Sequence, residues 1–588
     1  MSDGFKQTVM SIYRLIAFSL FYLLTASSRA SAESEIMLNQ TGFYPYAPKF
    51  AVVAGPVTAA SFYLLNEAKD TVFTGKLGAE QHSSNSNLVT RLIDFSAFSD
   101  TGTYRLAVPG AVTSYPFYIR PAVMNAVAIA VLKGYYYQRA SMPLLPAYAG
   151  KWARAAGHPD ADVTIHPNAA DQFRPAGTKI PTPLGWYDAG DYNKYIVNSG
   201  ITMGTLLGAY EDFPEYFNHL STNIPESGNQ VPDLLNEAIY NLRWMLTMQD
   251  ANDGGVYHKC TNAGFDNMVM PDKARATRYV VQKSTAAALD FAAVTAQASR
   301  VLKPFLPALA DSCLKASRKA WKWAEGHPGV PYNQDSINKL YSPAISTGTY
   351  GDNRFHDEWV WAAAELYSTT GDAAFLRAFE AYLPNTVQLP NWGNVAMLGY
   401  YTMLRKDRSS SLSTRLQEDV LKLATHYLDF YSAFHTVMGQ SVRDFTWGSN
   451  DVAAHQGMLL LFAYRLTRDK RYVNRALENL DYILGRNATG YSFVTGYGSK
   501  TPMFPHHRPS AADGIAEPVP GLVAGGPNPG MQDKCKYEFT DPERAYTDQT
   551  ASYASNEIAI NWNAPLVYLA NGIEALQQEA GYVKTPVK

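Results

Sequence analysis

The sequence predicts a mostly α protein, a ring of helical hairpins preceded by a small all-β sandwich. Three observations carry this. Short runs rich in β-branched and aromatic residues are concentrated in residues 34–120. Beyond residue 122 the apolar residues step at helical spacing almost to the end. Loops rich in Gly, Pro and Asn separate the helical stretches and hold most of the Trp, His and carboxylate candidates, as a cleft built at helix ends requires.

At 588 residues the chain is too long for one ordinary domain. With 46% hydrophobic residues, 17% charged and a net charge of −2, the composition argues against a nucleic-acid binder or a polybasic membrane binder. The 39 Tyr and 10 Trp are core material first, but they also suit a cleft that stacks on flat ligands with polar edges, such as sugars.

The elements follow in order. Lys6 and Arg14 precede the apolar run Leu15 to Leu24, and Ala30-Ser31-Ala32 supplies small residues for cleavage. Residues 1–32 therefore read as a secretory signal peptide cut after Ala32. The apolar run is too short to span a bilayer, and no later stretch is long enough, so the mature chain is expected to be soluble and secreted or periplasmic. Residues 34–120 read as strands, with Phe50–Ala54, Ser61–Leu65, Thr103–Val108 and Tyr115–Ile119 as the clearest runs. In the third of these Tyr104, Leu106 and Val108 share a face. Arg120-Pro121 ends the sandwich, and so short a junction implies a docked domain. Residues 122–580 form the helical domain. Leu235, Ile239, Leu242 and Leu246 step as a helix, as do Leu416, Val420, Leu423 and Tyr427, and Val473, Leu477, Leu480 and Leu484. Cys260, Cys313 and Cys535 lie far apart with no C-x-x-C spacing, which excludes a disulfide scaffold and a Cys-based zinc protein. One disulfide stays open, its pair unassigned. Nothing suggests more than a monomer.

Three stretches carry chemistry. In Gly185-Trp186-Tyr187-Asp188-Ala189-Gly190-Asp191-Tyr192-Asn193-Lys194-Tyr195, two carboxylates sit three residues apart in a Gly-containing turn. Gly190 can take a backbone conformation closed to other residues, so both carboxylates could aim at one water. Alone they read equally as turn formers or caps. The second stretch runs from Ser492 to Arg508, where His506 and Arg508 offer donors for sugar hydroxyls. The third includes Asp548, Tyr553, Trp562 and Glu557, the last placed where a buried helix is expected to begin. Partial burial would keep Glu557 protonated as a general acid, whereas a bland reading sets it against the helix dipole.

Together these stretches, in this order, resemble glycoside hydrolase family 9, the inverting cellulases and related β-glucanases. The likeness extends over the helical part, including Gly254-Gly255-Val256-Tyr257-His258-Lys259 and Phe355-His356-Asp357-Glu358-Trp359. It implies an (α/α)6 toroid of six helical hairpins behind an immunoglobulin-like module. It also implies Asp191 as general base, Asp188 as a second holder of the water and Glu557 as general acid. His506 and Arg508 would contact the sugar, with Asp548 in support. An inverting enzyme needs its two carboxyls roughly 6.5–9.5 Å apart. Trp186, Tyr257, His258, Trp392, Trp447, Tyr553 and Trp562 are candidate substrate contacts, and for each aromatic the core reading stands beside the stacking one.

The resemblance implies no cofactor for the chemistry. The structural zinc of many members is not expected, because Ala140 and Gly157 stand where Cys is common, although His158 and His166 remain. The segment Asp352 to Glu358 resembles the family's calcium loop, so Asn353, Arg354, Asp357 and Glu358 are candidate structural calcium ligands. The expected distant Asp partner is replaced, since Gly393-Asn394 follow Trp392. The other reading has Asp357 and Glu358 capping a helix. The expected activity is endo-β-1,4-glucanase on cellulose or soluble β-glucan. Exo action as a cellodextrinase or glucosaminidase on cello- or chito-oligosaccharides is the alternative. A non-catalytic carbohydrate binder is the reading from another class, and the joint presence of Asp188, Asp191 and Glu557 argues against it.

Overall fold

A computed structural model describes residues 33–584; the expected signal peptide lies outside the described residues. The N-terminal part is a sandwich of nine strands: β1 (Glu35–Met37), β2 (Gly42–Phe43), β3 (Phe50–Ala54), β4 (Ser61–Leu65), β5 (Thr71–Lys76), β6 (Glu80–His82), β7 (Val89–Asp94), β8 (Gly102–Ala107) and β9 (Phe117–Ile119). They form two sheets, ordered β1-β3-β7-β6 and β2-β9-β8-β4-β5. Phe43 packs edge-on to Phe95 and Phe117 at 5.0 and 5.3 Å between the sheets. Tyr104 and Leu106 point into this core while Arg105 points out, as the alternation required. Strands β5 and β6 were not anticipated. They are edge strands with exposed side chains, so no apolar alternation marks them.

Twelve helices of ten or more residues follow: α1 (Asn125–Gln138), α2 (Ile196–Asp212), α3 (Asp233–Thr247), α4 (Thr285–Leu302), α5 (Pro307–Gly326), α6 (His356–Thr370), α7 (Ala373–Tyr382), α8 (Ala396–Lys406), α9 (Ser411–His426), α10 (Ser449–Thr467), α11 (Lys470–Ile483) and α12 (Ile560–Leu576). The even-numbered helices form the inner ring. Each is apolar nearly all round because it is surrounded, whereas an outer helix such as α9 buries only the stripe Ser413, Leu416, Val420 and Ala424. Helix α2 packs on α4, α4 on α6, α6 on α8, and α10 on α12; Tyr401 of α8 meets Phe462 of α10 at 4.3 Å. Packing of α12 against α2 closes the ring. Close approach explains Gly204 of α2, where a Cβ would lie 2.4 Å from the Trp361 ring of α6.

The C-terminal ends of the inner helices are joined by half-buried and buried charged side chains. Arg300 of α4 bridges Glu211 of α2 and Glu365 of α6, both at 2.8 Å. Asp212 of α2 takes Arg405 of α8 at 2.6 Å, Arg465 of α10, and the Tyr568 hydroxyl of α12 at 2.7 Å. Cations at helix C-termini also meet the macrodipole favourably.

One architectural feature departs from the sequence reading, which placed no strands after residue 122. A five-stranded sheet lies in the loops at the other end of the ring: β10 (Val163–Ile165), β11 (Lys179–Ile180), β12 (Lys194–Tyr195), β13 (Lys259–Asn262) and β14 (Arg278–Val280), ordered β11-β10-β14-β13-β12. Strands of two to four residues are too short to register a period of two.

The sandwich is docked. Asn39 Nδ2 donates to Asp481 at 2.7 Å, the Gln40 amide to the Leu484 carbonyl at 3.0 Å, and the Tyr44 hydroxyl to Glu574 at 2.5 Å. Ser83 and Ser86 both donate to Glu543. All three cysteines are free thiols. Among the described residues no helix is long and apolar enough to cross a membrane.

Candidate active site

Asp188 and Asp191 lie in the loop that runs through β12 into the N-terminus of α2, and Glu557 lies three residues before α12. The closing seam of the ring therefore brings them together. The Ile560 amide donates to the Asp188 carbonyl at 2.9 Å, and the Arg508 amide to the Gly190 carbonyl at 3.1 Å. Gly190 does not adopt a left-handed conformation; it is required because a Cβ there would lie 2.0 Å from the His506 carbonyl oxygen. That replaces the conformational role expected of it. Glu557 is not in the helix either. It sits on an extended segment bridged to His506 on one side, and its carbonyl accepts from the Gly525 amide at 2.8 Å.

Asp188 is buried. Its carboxyl accepts from Asn198 Nδ2 and the Tyr350 hydroxyl, each at 2.7 Å. Burial, and then the charge of Asp191, push its pKa up to about 8 despite these donors. Asp191 Oδ2 accepts from Asn193 Nδ2, and from the Asn193 amide and Tyr195 hydroxyl at 3.3 Å. Glu557 is the only one of the three carboxyls with appreciable exposure. Burial of its carboxyl and the negative charges of Asp191 and Asp188 hold its pKa well above the usual carboxylate range, and Arg508 only partly offsets them. Burial and the charge of Asp191 thus push both Asp188 and Glu557 toward their protonated forms, while Asp191 is the carboxyl held by donors from Asn193 and Tyr195.

The structure sorts the other expected residues. His506 Nδ1 lies 2.7 Å from the Thr550 carbonyl, which fixes that nitrogen as the donor; burial lowers its pKa, leaving a neutral ring whose Nε2 is an acceptor. The expectation of a donor is corrected accordingly. Arg508 commits three of its five N–H donors to the protein. It is almost fully buried, its Nη1 donates to Gly190 O at 2.7 Å, and its Nε and Nη2 donate to Asp266 O at 2.9 and 2.8 Å. It ties the aspartate loop to its neighbours. Asp548 accepts from the Met503 and Phe504 amides at 2.7 and 2.9 Å and from Asn556 Nδ2 at 3.0 Å, bracing the segments that carry His506 and Glu557.

Trp447 is 42% exposed and stands 5.5 Å from the Tyr553 ring, which is 6.0 Å from His506. Trp392 is partly exposed and packs edge-on to Tyr350 at 5.4 Å. Trp392 thus packs on the Tyr350 that bonds Asp188, and Trp447 and Tyr553 lie on the side of His506, which bridges Glu557. The remaining candidates face the core. Trp186 is fully buried against Glu237, and Tyr257 is fully buried with its hydroxyl on Asp250 at 3.1 Å. His258 is held by Ser284 and the Thr349 carbonyl and stacked on Tyr332 at 4.3 Å. Trp562 is 9% exposed and fills the space beside Gly448 and Gly525. Asn193, Asn198, Tyr195 and Tyr350, which clamp the aspartates, were missed. Tyr350 had no sequence signal, since it approaches from 162 residues away.

At the candidate calcium loop, Glu358 is buried with neither carboxyl oxygen bonded, and Asn394 Oδ1 and both oxygens of Asp290 are also unpartnered. Burial and then Asp357 push Glu358 well up, with Asp290 and Asp352 adding to the effect. Orphaned oxygens of this kind fit a hard cation. Asp357 instead accepts from the Val395 amide at 2.8 Å, and the Asn353 and Arg354 side chains are exposed. Among the described residues no three His, Cys, Asp or Glu side chains converge as a metal cluster.

The chain matches the family model for glycosyl hydrolase family 9 over residues 125–570 and that for the cellulase N-terminal Ig-like domain over residues 31–113. It is 45% identical over 585 residues to a xyloglucan-specific endo-β-1,4-glucanase of Bacteroides ovatus, covering 96% of this chain and 99% of that one. It is 34% identical over 549 residues to endoglucanase D of Acetivibrio thermocellus, covering 92% and 83%. A solved Bacteroides ovatus family 9 structure superposes with a TM-score of 0.87 at 45% identity, covering 92% of this chain and 99% of that one. The matched models, the closed helical ring and the carboxyls at its seam establish that the chain belongs to glycosyl hydrolase family 9, as an endo-β-1,4-glucanase.

Proposed function

We propose that this protein cleaves the β-1,4-glucan backbone of xyloglucan or a related soluble glucan, with Asp191 as base, Asp188 as co-holder of the water and Glu557 as acid. The observation that carries the roles is the opposed environment of the carboxyls. Glu557 keeps its proton where a ligand can reach it, while Asp191 is gripped by donors to its carboxylate. Glu557 gives its proton to the glycosidic oxygen as the C1–O bond breaks. Asp191 takes a proton from the water that forms the new C1–O bond from the opposite face, so the configuration at C1 inverts. Proton exchange with solvent then resets both groups. The exposed Trp447 and the half-exposed Trp392 are suited to stack on backbone glucosyl rings either side of the reaction centre. The preference for a substituted glucan rests on 45% identity, over nearly the whole of both chains, to a xyloglucan-specific enzyme.

A structural calcium held by Glu358, Asn394 Oδ1 and neighbouring oxygens accompanies this reading, with Asp290 behind it, and export follows from the N-terminal leader pattern. The ion would neutralise carboxyls that otherwise repel, and so brace the start of α6. Added calcium is then expected to raise Tm by several degrees over protein treated with a chelator, and Glu358→Gln to abolish that difference. An equal Tm with and without calcium removes the ion.

The function is tested by following viscosity, product size and early proton NMR spectra of the purified mature protein on xyloglucan and on cellohexaose. A fast fall in xyloglucan viscosity, mid-sized products and the α-anomer first are expected. The β-anomer first would sink the assigned chemistry. Attack on cellohexaose with xyloglucan untouched would move the substrate to unbranched glucan.

A further inference from the structure

The catalytic aspartate loop is followed at once by Tyr192, Asn193 and Lys194, whose polar atoms are all engaged below the site. Asn193 is the link. Its Oδ1 accepts from Thr261 Oγ1 at 3.0 Å, the Asn262 amide at 2.9 Å and Arg278 Nη1 at 3.5 Å. With the oxygen end surrounded by donors, the amide group can only turn its NH2 toward Asp191, and Asn193 Nδ2 does donate to Asp191 Oδ2. Reversing the amide would set its NH2 against the Asn262 and Arg278 N–H donors and its oxygen against a carboxylate.

Beneath Asn193 lies a buried ionic triad. Asp160 accepts from Arg278 Nε at 3.1 Å and Nη2 at 3.3 Å, and pairs with Lys194 Nζ at 2.6 Å. Arg278 Nη1 then reaches the Tyr192 carbonyl at 2.9 Å and Asn262 Oδ1 at 3.2 Å, while Lys194 Nζ holds the Thr182 and Leu184 carbonyls at 2.9 and 2.8 Å. All three charged side chains are under one-tenth exposed. Burial opposes ionisation of Asp160, but the two cations outweigh it and hold its pKa down at about 2. One carboxylate thereby fixes two cations: Arg278, which holds the Tyr192 carbonyl just before Asn193, and Lys194, the residue just after it, whose ammonium is tied to the Thr182 and Leu184 carbonyls.

We propose that Asn193, oriented by the Asp160–Arg278–Lys194 triad, is a positioning residue that aims the Asp191 carboxylate at the attacking water. This rests on Asp191 being the base. A donor set that leaves only one orientation of the amide supplies the preorganisation that a base needs, since small misplacements of a catalytic group are expensive in rate.

The experiment compares Asn193→Ala, Arg278→Met, Asp191→Ala and the double variant Asn193→Ala/Asp191→Ala. The substrate is an aryl β-cellotrioside with a good leaving group, which keeps turnover without the base measurable. Asn193→Ala is expected to lower kcat by about 10–100-fold with KM within about twofold, and to add less than about twofold in the Asp191→Ala background. Arg278→Met should follow Asn193→Ala; if it does not fold, Asn193→Ala decides alone, because it removes no charge. A kcat for Asn193→Ala within twofold of wild type overturns the proposal, as does a loss undiminished in the Asp191→Ala background. If Asp191→Ala itself keeps wild-type turnover, the base assignment fails and this proposal with it. A large Asp191→Ala loss beside a neutral Asn193→Ala sinks this proposal alone.

Discussion

Glu557→Gln is expected to lower kcat on unactivated glucan oligosaccharides by about 10³-fold, or about 4 kcal/mol of barrier, while leaving oligosaccharide affinity within a few-fold. The substitution is nearly isosteric and removes only the transferable proton. On an aryl glycoside whose leaving group needs no protonation, the loss should shrink strongly. The pH dependence has a definite sign. Burial first, and the charges of Asp191 and Asp188 next, raise the pKa of Glu557, so the acid form persists well above the usual carboxylate range. Wild-type kcat/KM should therefore fall on the alkaline side, as pH rises through that raised value. Folding is linked in the same direction. In the unfolded chain a Glu loses its proton near pH 4.3. Above that pH the folded protein holds the extra proton, so wild-type stability falls as pH rises until Glu557 ionises. Glutamine has no such dependence, and the Tm of Glu557→Gln relative to wild type should climb as pH rises above about 4.3 toward the raised value. Near-wild-type turnover on cellohexaose would remove Glu557 from the role.

Asp191→Asn is expected to cost about 10³–10⁴-fold in kcat, and here the leaving group should make no difference, because water must be deprotonated whichever oxygen departs. The two losses are thereby distinguishable on the same pair of substrates. Azide adds a sharper check with Asp191→Ala. It needs no base, so it should restore turnover by forming a C1–N bond as the glycosidic C–O bond breaks, with Glu557 still protonating the departing oxygen. The product should be the α-glycosyl azide. A β-azide, or no rescue alongside intact ligand binding, would count against a base acting from that face.

Much of this site was legible because chemistry leaves local marks. Asp188 and Asp191 share one turn, and Glu557 stands in a stretch whose order relative to the other two identified the family. What escaped notice was whatever depends on approach from afar. Tyr350 holds Asp188 from across the ring, and Asn193 owes its orientation to β13 and β14, strands too short to show a period. Trp186 and Tyr257 misled for the converse reason. An aromatic beside a catalytic motif looks the same in sequence whether its ring faces the ligand or the core, and these two are wholly buried. Arg508 was placed near the carboxyls, and three of its five N–H donors are engaged by the Gly190 and Asp266 carbonyls, a tie that only the folded chain shows. In the sandwich, β3 and β4 begin and end at the expected residues because β3 is a continuous apolar run buried on both faces and β4 buries alternate residues, whereas the exposed edge strands carried no such signature.

Glu557 and Asp191 belong to opposite ends of the helical domain, and they meet only where α12 closes against α2. A nascent chain that has completed five of the six inner helices therefore carries Asp188 and Asp191 without Glu557, and has no reaction centre. The last inner helix also delivers Tyr568 to Asp212 at the far end of the ring and Glu574 to Tyr44 of the sandwich. Arrival of this final segment thus does three things in one step: it finishes the barrel wall, locks the appended module in place and switches on hydrolysis. Partly synthesised or clipped chains lacking it should be inert toward glucan, a built-in guarantee that only the finished molecule works.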